Sequence, residues 1–223
     1  TGSLTVNFSD DDVYNDGDAI TVNVTGVSGG NFENLVWEGT NATSTITEVI
    51  DTTLVSLTTE DVAETASSVS FNIHLSNPPD GGSGTATVQV AGETGTRQVA
   101  IDDEGNGSFT VAISEDDVYS ETGENVSATV TAVDGNYEAL NFDNASATAQ
   151  ITEVVDDTTM SLTTEDVPET ATSTTFTLTL SNPVDAPLTV QTDQGDIVIE
   201  SGNTGSLTVN FSDDDVYNDG DAI

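Results

Sequence analysis

The sequence predicts an all-β protein built from tandem β-sandwich modules of about 100 residues each. Two observations predict this fold class. Apolar and polar residues alternate in short segments, which indicates strands with one buried face, and long stretches of the sequence recur further along the chain. Gly, Asp, Asn and Pro separate the alternating segments, and none of the segments has the period of a helix.

The repeated motifs follow one another in the same order. Ile-Thr-Glu-Val at residues 46–49 recurs at residues 151–154, and Ser-Leu-Thr-Thr-Glu-Asp-Val at residues 56–62 recurs at residues 161–167. A chain with such repeats is predicted to be an array in which each repeat forms one module.

Module boundaries follow from the repeats. We assign residues 1–51 to the C-terminal half of one repeat, residues 52–155 to a complete repeat, and residues 156–223 to the N-terminal part of the next. Residues 1–20 are identical to residues 204–223, so the pattern restarts within the chain. Each partial repeat is predicted to leave sheet edges and an apolar face open. We therefore expect neighbouring chains to complete one another head to tail.

Seven strands are predicted in the complete repeat. They span residues 54–59, 69–76, 85–90, 97–101, 109–113, 126–132 and 145–154. The clearest alternation is in the second strand, where Val69, Phe71 and Ile73 alternate with polar residues. Seven short strands in about 100 residues are typical of an immunoglobulin-like sandwich. Residues 1–51 are predicted to hold the last three strands of a module.

The balance of charges excludes several classes of function. Of 223 residues, 40 are Asp or Glu, and Arg97 is the single basic side chain, which gives a net charge of -39. Nucleic acids and anionic membrane surfaces are therefore excluded as partners, and no apolar run is long enough for insertion into a membrane. Lysine and cysteine are absent and His74 has no predicted catalytic partner, so we do not expect an enzyme.

The carboxylates are concentrated in a loop that occurs three times, at residues 9–18, 114–124 and 212–221. In the complete repeat this loop lies between the predicted fifth and sixth strands. Carboxylates a few residues apart repel one another at short range, and the chain has almost no basic side chains to pair with them. A bound cation would remove this repulsion, and oxygen ligands favour calcium. The alternative is an acidic surface suited to salty surroundings.

Further acidic positions are predicted at the same pole of the sandwich. Glu64 follows the first strand, and the segment 152–157 ends the seventh strand and leads into the next module. We therefore predict that the carboxylates collect at the junction between modules.

The repeats and their acidic motifs resemble the Calx-beta family and the related extender repeats of calcium-dependent bacterial adhesins of the RTX type. The residues that carry the resemblance are Glu64, Asp116, Asp117, Glu121, Glu124, Asp156 and Asp157. The resemblance implies that these groups hold a small calcium cluster at the end of the module. It implies the same role at the equivalent positions Asp11, Asp12, Asp16, Asp18, Asp51 and Glu169. The closing acidic run is short in this chain, which implies fewer ions at each junction.

We therefore expect structural extender repeats of an extracellular protein on a bacterial cell surface, with calcium ions and adjacent repeats as partners. The array would hold a distal binding domain away from the cell. Two alternatives stay open: modules that bind a glycan or protein themselves, and a calcium-sensing Calx-beta pair. Aromatic residues are scarce, and we predict that Trp37 and Tyr137 serve packing or loop anchoring. The near-perfect repetition favours an array over a pair.

Overall fold

The structure, a computed structural model, describes residues 1–9, 12–15, 17–36, 39–47, 49–114, 116–120, 123–168 and 170–212. All regular secondary structure in these residues is β-strand, which confirms the predicted all-β class. Accordingly, the described part of the chain offers no helix that could cross a membrane. The chain divides into two compact units. Unit 1 comprises Thr1–Ser114 and Gly123–Thr152, and unit 2 comprises Glu115–Thr122 and Glu153–Ile223.

Unit 1 contains a two-stranded sheet and a β-sandwich. Its strands are β1 (Ala19–Asn23), β2 (Asn41–Thr45), β3 (Thr52–Thr59), β4 (Val62–Ala63), β5 (Ser68–Leu75), β6 (Gly84–Val90), β7 (Thr96–Ile101), β8 (Asn106–Ala112), β9 (Asn125–Val133), β10 (Ala139–Asn144) and β11 (Ser146–Thr152). The sandwich has a four-stranded sheet in the order β10-β3-β5-β8 and a five-stranded sheet in the order β4-β11-β9-β6-β7. Strands β10 and β4 pair in parallel with β3 and β11, and the other pairs of the sandwich are antiparallel.

All seven strands predicted for the complete repeat are present, and the structure adds β4 and β10. Neither of the added strands was predicted, although Leu140 and Phe142 of β10 alternate with Asn141 and Asp143. Strand β4 has only two residues. Strand β10 pairs with β3 in a register that shifts between Asn141 and Asn144, so its side chains do not alternate regularly between two faces.

The core of the sandwich follows the alternation in the sequence. Val69, Phe71, Ile73 and Leu75 of β5 are each at most 1% exposed, and the residues between them are exposed. Phe71 stacks on Phe109 of β8, with ring centroids 5.1 Å apart. Burial of a large apolar side chain contributes about 1.5–3 kcal/mol, so this stripe is a main source of stability.

The first part of unit 1 corrects one expectation. Residues 1–51 were predicted to hold three strands, but the described residues form only β1 and β2, which pair with each other. Residues 1–9 form no strand, and Leu4 and Phe8 are 73% and 62% exposed. The reason is that a strand needs a neighbour to satisfy its backbone groups, and no neighbouring strand is present for this segment.

Unit 2 contains β12 (Met160–Thr163), β13 (Ser173–Val184), β14 (Leu188–Thr192), β15 (Gly195–Ile199) and β16 (Gly202–Asn210). These strands form a three-stranded sheet in the order β12-β13-β16 and a two-stranded sheet of β14 and β15. The buried apolar residues of this unit are Leu178, Leu180, Ile197 and Ile199. Its core is therefore much smaller than the core of the complete sandwich.

Candidate metal centre

The first and second acidic loops share a turn that fixes the aspartate before the valine, Asp12 and Asp117. A side-chain oxygen of Asp12 accepts a hydrogen bond from the backbone N–H of Tyr14 (2.8 Å), and Asp117 accepts one from Tyr119 (2.7 Å). Asp side chains commonly stabilise turns in this way. An ionised carboxylate has two oxygens with about four acceptor sites. Each aspartate therefore keeps acceptor capacity for a cation after it has formed the turn.

One end of the unit 1 sandwich brings Glu64 and Glu124 to the last residues of β11. The backbone N–H of Glu64 donates to the carbonyl of Thr152 (3.0 Å), and the carbonyl of Glu124 accepts from Ile151 (3.0 Å). Glu64 is only 4% exposed. Glu64 therefore lies with Glu124 at the end of the sandwich where β11 ends, which is the position predicted for the ligands.

The remaining predicted ligands are distributed over both units. In unit 1, Asp12, Asp18 and Asp51 are exposed, and in unit 2 the exposed residues are Asp116, Asp117, Asp156 and Asp157. The carbonyl of Asp18 accepts a hydrogen bond from Ile46, which closes the β1–β2 pair. Four predicted ligands lie outside the described residues, namely Asp11, Asp16, Glu121 and Glu169, and so does Trp37.

Glu138 is a further acidic residue that the sequence analysis did not predict. Its Oε2 accepts a hydrogen bond from the backbone N–H of Asp51 (2.5 Å), and its own backbone N–H donates to the carbonyl of Val13 (3.1 Å). Its Oε1 is buried and has no hydrogen-bond partner among the described residues. Glu138 thus faces two of the predicted acidic segments. Its counterpart Glu33 in the preceding repeat was a signal that could have identified it.

A second acidic group lies in the turn between β7 and β8. Among the described residues, only Asp102, Asp103 and Glu104 bring three carboxylates within 4.8 Å of one another. Asp102 caps the turn, because its side chain accepts hydrogen bonds from the amides of Glu104 (3.1 Å) and Asn106 (2.7 Å). A hydrogen bond with Asp103 and the nearby negative charges raise the pKa of Glu104. The equivalent turn of unit 2 reads Glu-Ser-Gly at residues 200–202, so this group is not a property of the repeat.

The other polar side chains are used in local structure. Arg97 forms an ion pair with Glu93 and donates to the carbonyl of Thr110 (2.6 Å), as expected for a lone basic residue near an acid. His74 is exposed, and its Nδ1 lies 2.9 Å from Oδ1 of Asn106. Arg97 and His74 thus take no part in the acidic segments. Those segments offer carboxylate and carbonyl oxygens, which suit a hard cation such as calcium.

Comparison with known proteins identifies a family and, among the solved structures, a number of similar chains. The family described as LapA domain matches residues 1–49, 51–154 and 156–223. A solved structure titled "Crystal structure of CBD12 from CALX1.2" has 11% sequence identity to the chain and a TM-score of 0.33, and the match covers 70% of this chain and 73% of that chain. The search of curated proteins gives no match.

Proposed function

The chain belongs to the LapA domain family, and we propose that it forms part of the stalk of a bacterial cell-surface adhesin, rigidified by calcium at the junctions between modules. The observation that carries this proposal is the three consecutive family matches, which together span almost the whole chain. The family is adhesin-related, and consecutive sandwich modules suit a mechanical spacer. The role is structural and not catalytic, and its partners are calcium ions and the adjacent repeats.

Calcium is the cation that the available ligands fit best. The chain carries 40 acidic side chains against one basic side chain, and calcium takes six to eight oxygen ligands from carboxylates, carbonyls and water. Glu64 and Glu124 would contribute at the end of the sandwich near β11. The buried Oε1 of Glu138, which has no hydrogen-bond partner among the described residues, supports a second position, next to the backbone of Asp51 and Val13. Bound calcium would neutralise charge and link segments that belong to successive repeats.

Thermal unfolding with and without calcium tests whether calcium binds to the folded chain. A ligand that binds only the folded state stabilises it by RT ln(1 + [L]/Kd), so about a hundredfold excess over Kd contributes roughly 2.7 kcal/mol for each independent site. We expect the melting temperature to rise clearly between EDTA and millimolar calcium at constant, moderate ionic strength. Magnesium at the same concentration controls for general screening of charge. Equal melting temperatures in EDTA and in calcium would contradict the proposal.

Calorimetric titration of single variants with calcium tests which residues are ligands of the ion. Glu64→Gln and Asp117→Asn keep the size of the side chain and a hydrogen-bond acceptor but remove the charge, so we expect weaker calcium binding. Glu104→Gln is the matched control, because it removes one charge from the acidic turn between β7 and β8, which the repeats do not share. Calcium affinity that falls equally in all three variants would indicate a nonspecific effect of net charge.

A further inference from the structure

The first acidic loop is attached to the complete sandwich by backbone hydrogen bonds. The amide of Asn15 donates to the carbonyl of Asn136 (2.7 Å), and the amide of Glu138 donates to the carbonyl of Val13 (3.1 Å). Tyr14 and Tyr137 thereby form an isolated antiparallel bridge. The loop belongs to one repeat and residues 136–138 to the next, so these bonds join two repeats within unit 1.

The side chain of Tyr14 extends this attachment to a second segment of the sandwich. Its hydroxyl donates to the carbonyl of Pro78 (2.8 Å), in the sequence Ser-Asn-Pro that follows β5. Its ring is half-buried and packs against Tyr137, with centroids 5.9 Å apart. The hydroxyl of Tyr137 lies 3.4 Å from the carbonyl of Asn77. The two tyrosines therefore fix the loop to the same turn.

The same contact occurs a second time, in unit 2. The hydroxyl of Tyr119 donates to the carbonyl of Pro183 (2.9 Å), again in a Ser-Asn-Pro sequence. Donor and acceptor are separated by 64 residues in both cases. In both loops the aspartate two residues earlier accepts from the tyrosine amide and so orients the tyrosine. Two copies with the same donor, the same acceptor and the same orienting aspartate indicate a property of the repeat.

We propose that the Asp-Val-Tyr segment of the first and second acidic loops is a latch that attaches one repeat to the Ser-Asn-Pro sequence of the next, and that it forms without a bound ion. The bond joins a neutral hydroxyl to a backbone carbonyl, so no counter-charge is needed. The aspartate sets the backbone of the loop, the tyrosine ring packs on the next repeat, and the hydroxyl selects the prolyl carbonyl. The tyrosine hydroxyl and the prolyl carbonyl are distinct from the carboxylates proposed to bind calcium, and only the aspartate of the segment belongs to both.

Reciprocal Tyr→Phe variants of the 223-residue chain test the latch by NMR. Removal of the hydroxyl in Tyr14→Phe should shift the carbonyl ¹³C resonance of Pro78 and leave that of Pro183 unchanged, whereas Tyr119→Phe should do the reverse. In Tyr14→Phe we also expect the amides of Asn15 and Glu138 to exchange with solvent about five- to tenfold faster, because one hydrogen bond that holds the loop is lost. The amides of Phe71 and Ile73 in β5 should not change, which would show that the sandwich stays folded.

Tyr217→Phe is the matched control. It makes the same substitution in the third acidic loop, which does not lie 64 residues before either proline, so the Pro78 and Pro183 resonances should not move. All measurements are made in EDTA and repeated in calcium. Unmoved carbonyl resonances in the reciprocal variants, or effects that occur only in calcium, would overturn the latch. Failure of calcium binding itself would be seen in the melting experiment and would leave the result in EDTA unaffected.

Discussion

Two segments of identical sequence have different structures. Residues 1–9 and residues 204–212 read Thr-Gly-Ser-Leu-Thr-Val-Asn-Phe-Ser in both places. The second copy contributes β16, which pairs with β13 along most of its length, and Leu207 and Phe211 are half-buried. In the first copy Leu4 is 73% exposed and no strand forms. The neighbouring strand, and not the local sequence, therefore decides whether this segment is a strand.

A second pair of equivalent residues shows the same dependence for the core. Leu57 and Leu162 occupy the same position in the repeated Ser-Leu-Thr-Thr-Glu-Asp-Val motif, yet they are 4% and 51% exposed. Leu57 faces the second sheet of the complete sandwich, where β9 and β11 cover its strand. Unit 2 has no counterparts of β9 and β11 among its described residues. Its motif is therefore folded into a sheet but is not enclosed in a core.

Restoring the missing neighbour is the strongest test of this comparison. A second copy of residues 156–203 fused before Thr1 would supply a counterpart of β13 and reproduce the natural join between Asn203 and Thr204. We expect the amides of Leu4 and Val6 to become protected from hydrogen exchange by about 100-fold or more, which corresponds to roughly 2.8 kcal/mol. The control is the same fusion with Leu178→Pro in the added copy, because proline removes a ladder hydrogen bond in a central strand. Equal protection in both fusions would show that the neighbouring strand is not the cause.

Truncation of the two equivalent leucines tests whether each one is enclosed in a core. Leu57→Ala should lower the free energy of unfolding of the sandwich by about 2–5 kcal/mol, since it leaves a cavity in a closed core. Leu162→Ala should change the stability of unit 2 by about 0.5 kcal/mol or less, because half of the side chain is already in contact with solvent. Denaturant unfolding in EDTA measures both without a contribution from bound calcium. Losses of similar size would mean that Leu162 is enclosed in solution.

The sequence predicted the strands with strict alternation well, because alternation alone specifies a strand with one buried face. The burial of Val69, Phe71 and Ile73 was therefore predictable. The incorrect and missing strand predictions have a different physical origin. Residues 1–9 have the alternation of a strand but no neighbour, and β10 forms by pairing with β3, which lies far away in the sequence. Pairing partners of this kind are tertiary information that a local pattern does not contain.

The candidate site was predictable to the extent that carboxylates were concentrated in the sequence. The acidic loops were visible as repeated motifs, and the position of Glu64 beside the end of β11 followed from the predicted strands. Glu138 was not identified, because it is a single glutamate in a connecting segment and its repeated counterpart Glu33 does not by itself indicate a ligand. Its importance depends on where Asp51 and Val13 lie in space, and only the fold establishes this.

The smallest expected effect concerns a third equivalent pair, Tyr137 and Phe32. Phe32 is 66% exposed, whereas Tyr137 is half-buried beside Tyr14, and burial, together with the neighbouring Tyr14, raises the pKa of Tyr137 to about 12. An unfolded tyrosine ionises at about pH 10. Between these values the unfolded chain releases a proton that the folded chain retains, so the stability contributed by Tyr137 is complete below about pH 10 and is lost as the pH rises towards 12.

Denaturant unfolding from pH 9 to pH 12 should therefore show a steeper loss of stability in the wild type than in Tyr137→Phe. Loss of the hydrogen bond to Asn77 in this variant changes its stability at every pH and does not alter the slope. The carboxylates are ionised throughout this range, so their mutual repulsion is common to both proteins. Phe32→Tyr is the matched control, since a tyrosine at an exposed position titrates similarly in the folded and unfolded chains and should add no pH dependence. Parallel profiles for the wild type and Tyr137→Phe would show that Tyr137 is as accessible to solvent as the position of Phe32, and the contrast between these two sites would then be lost.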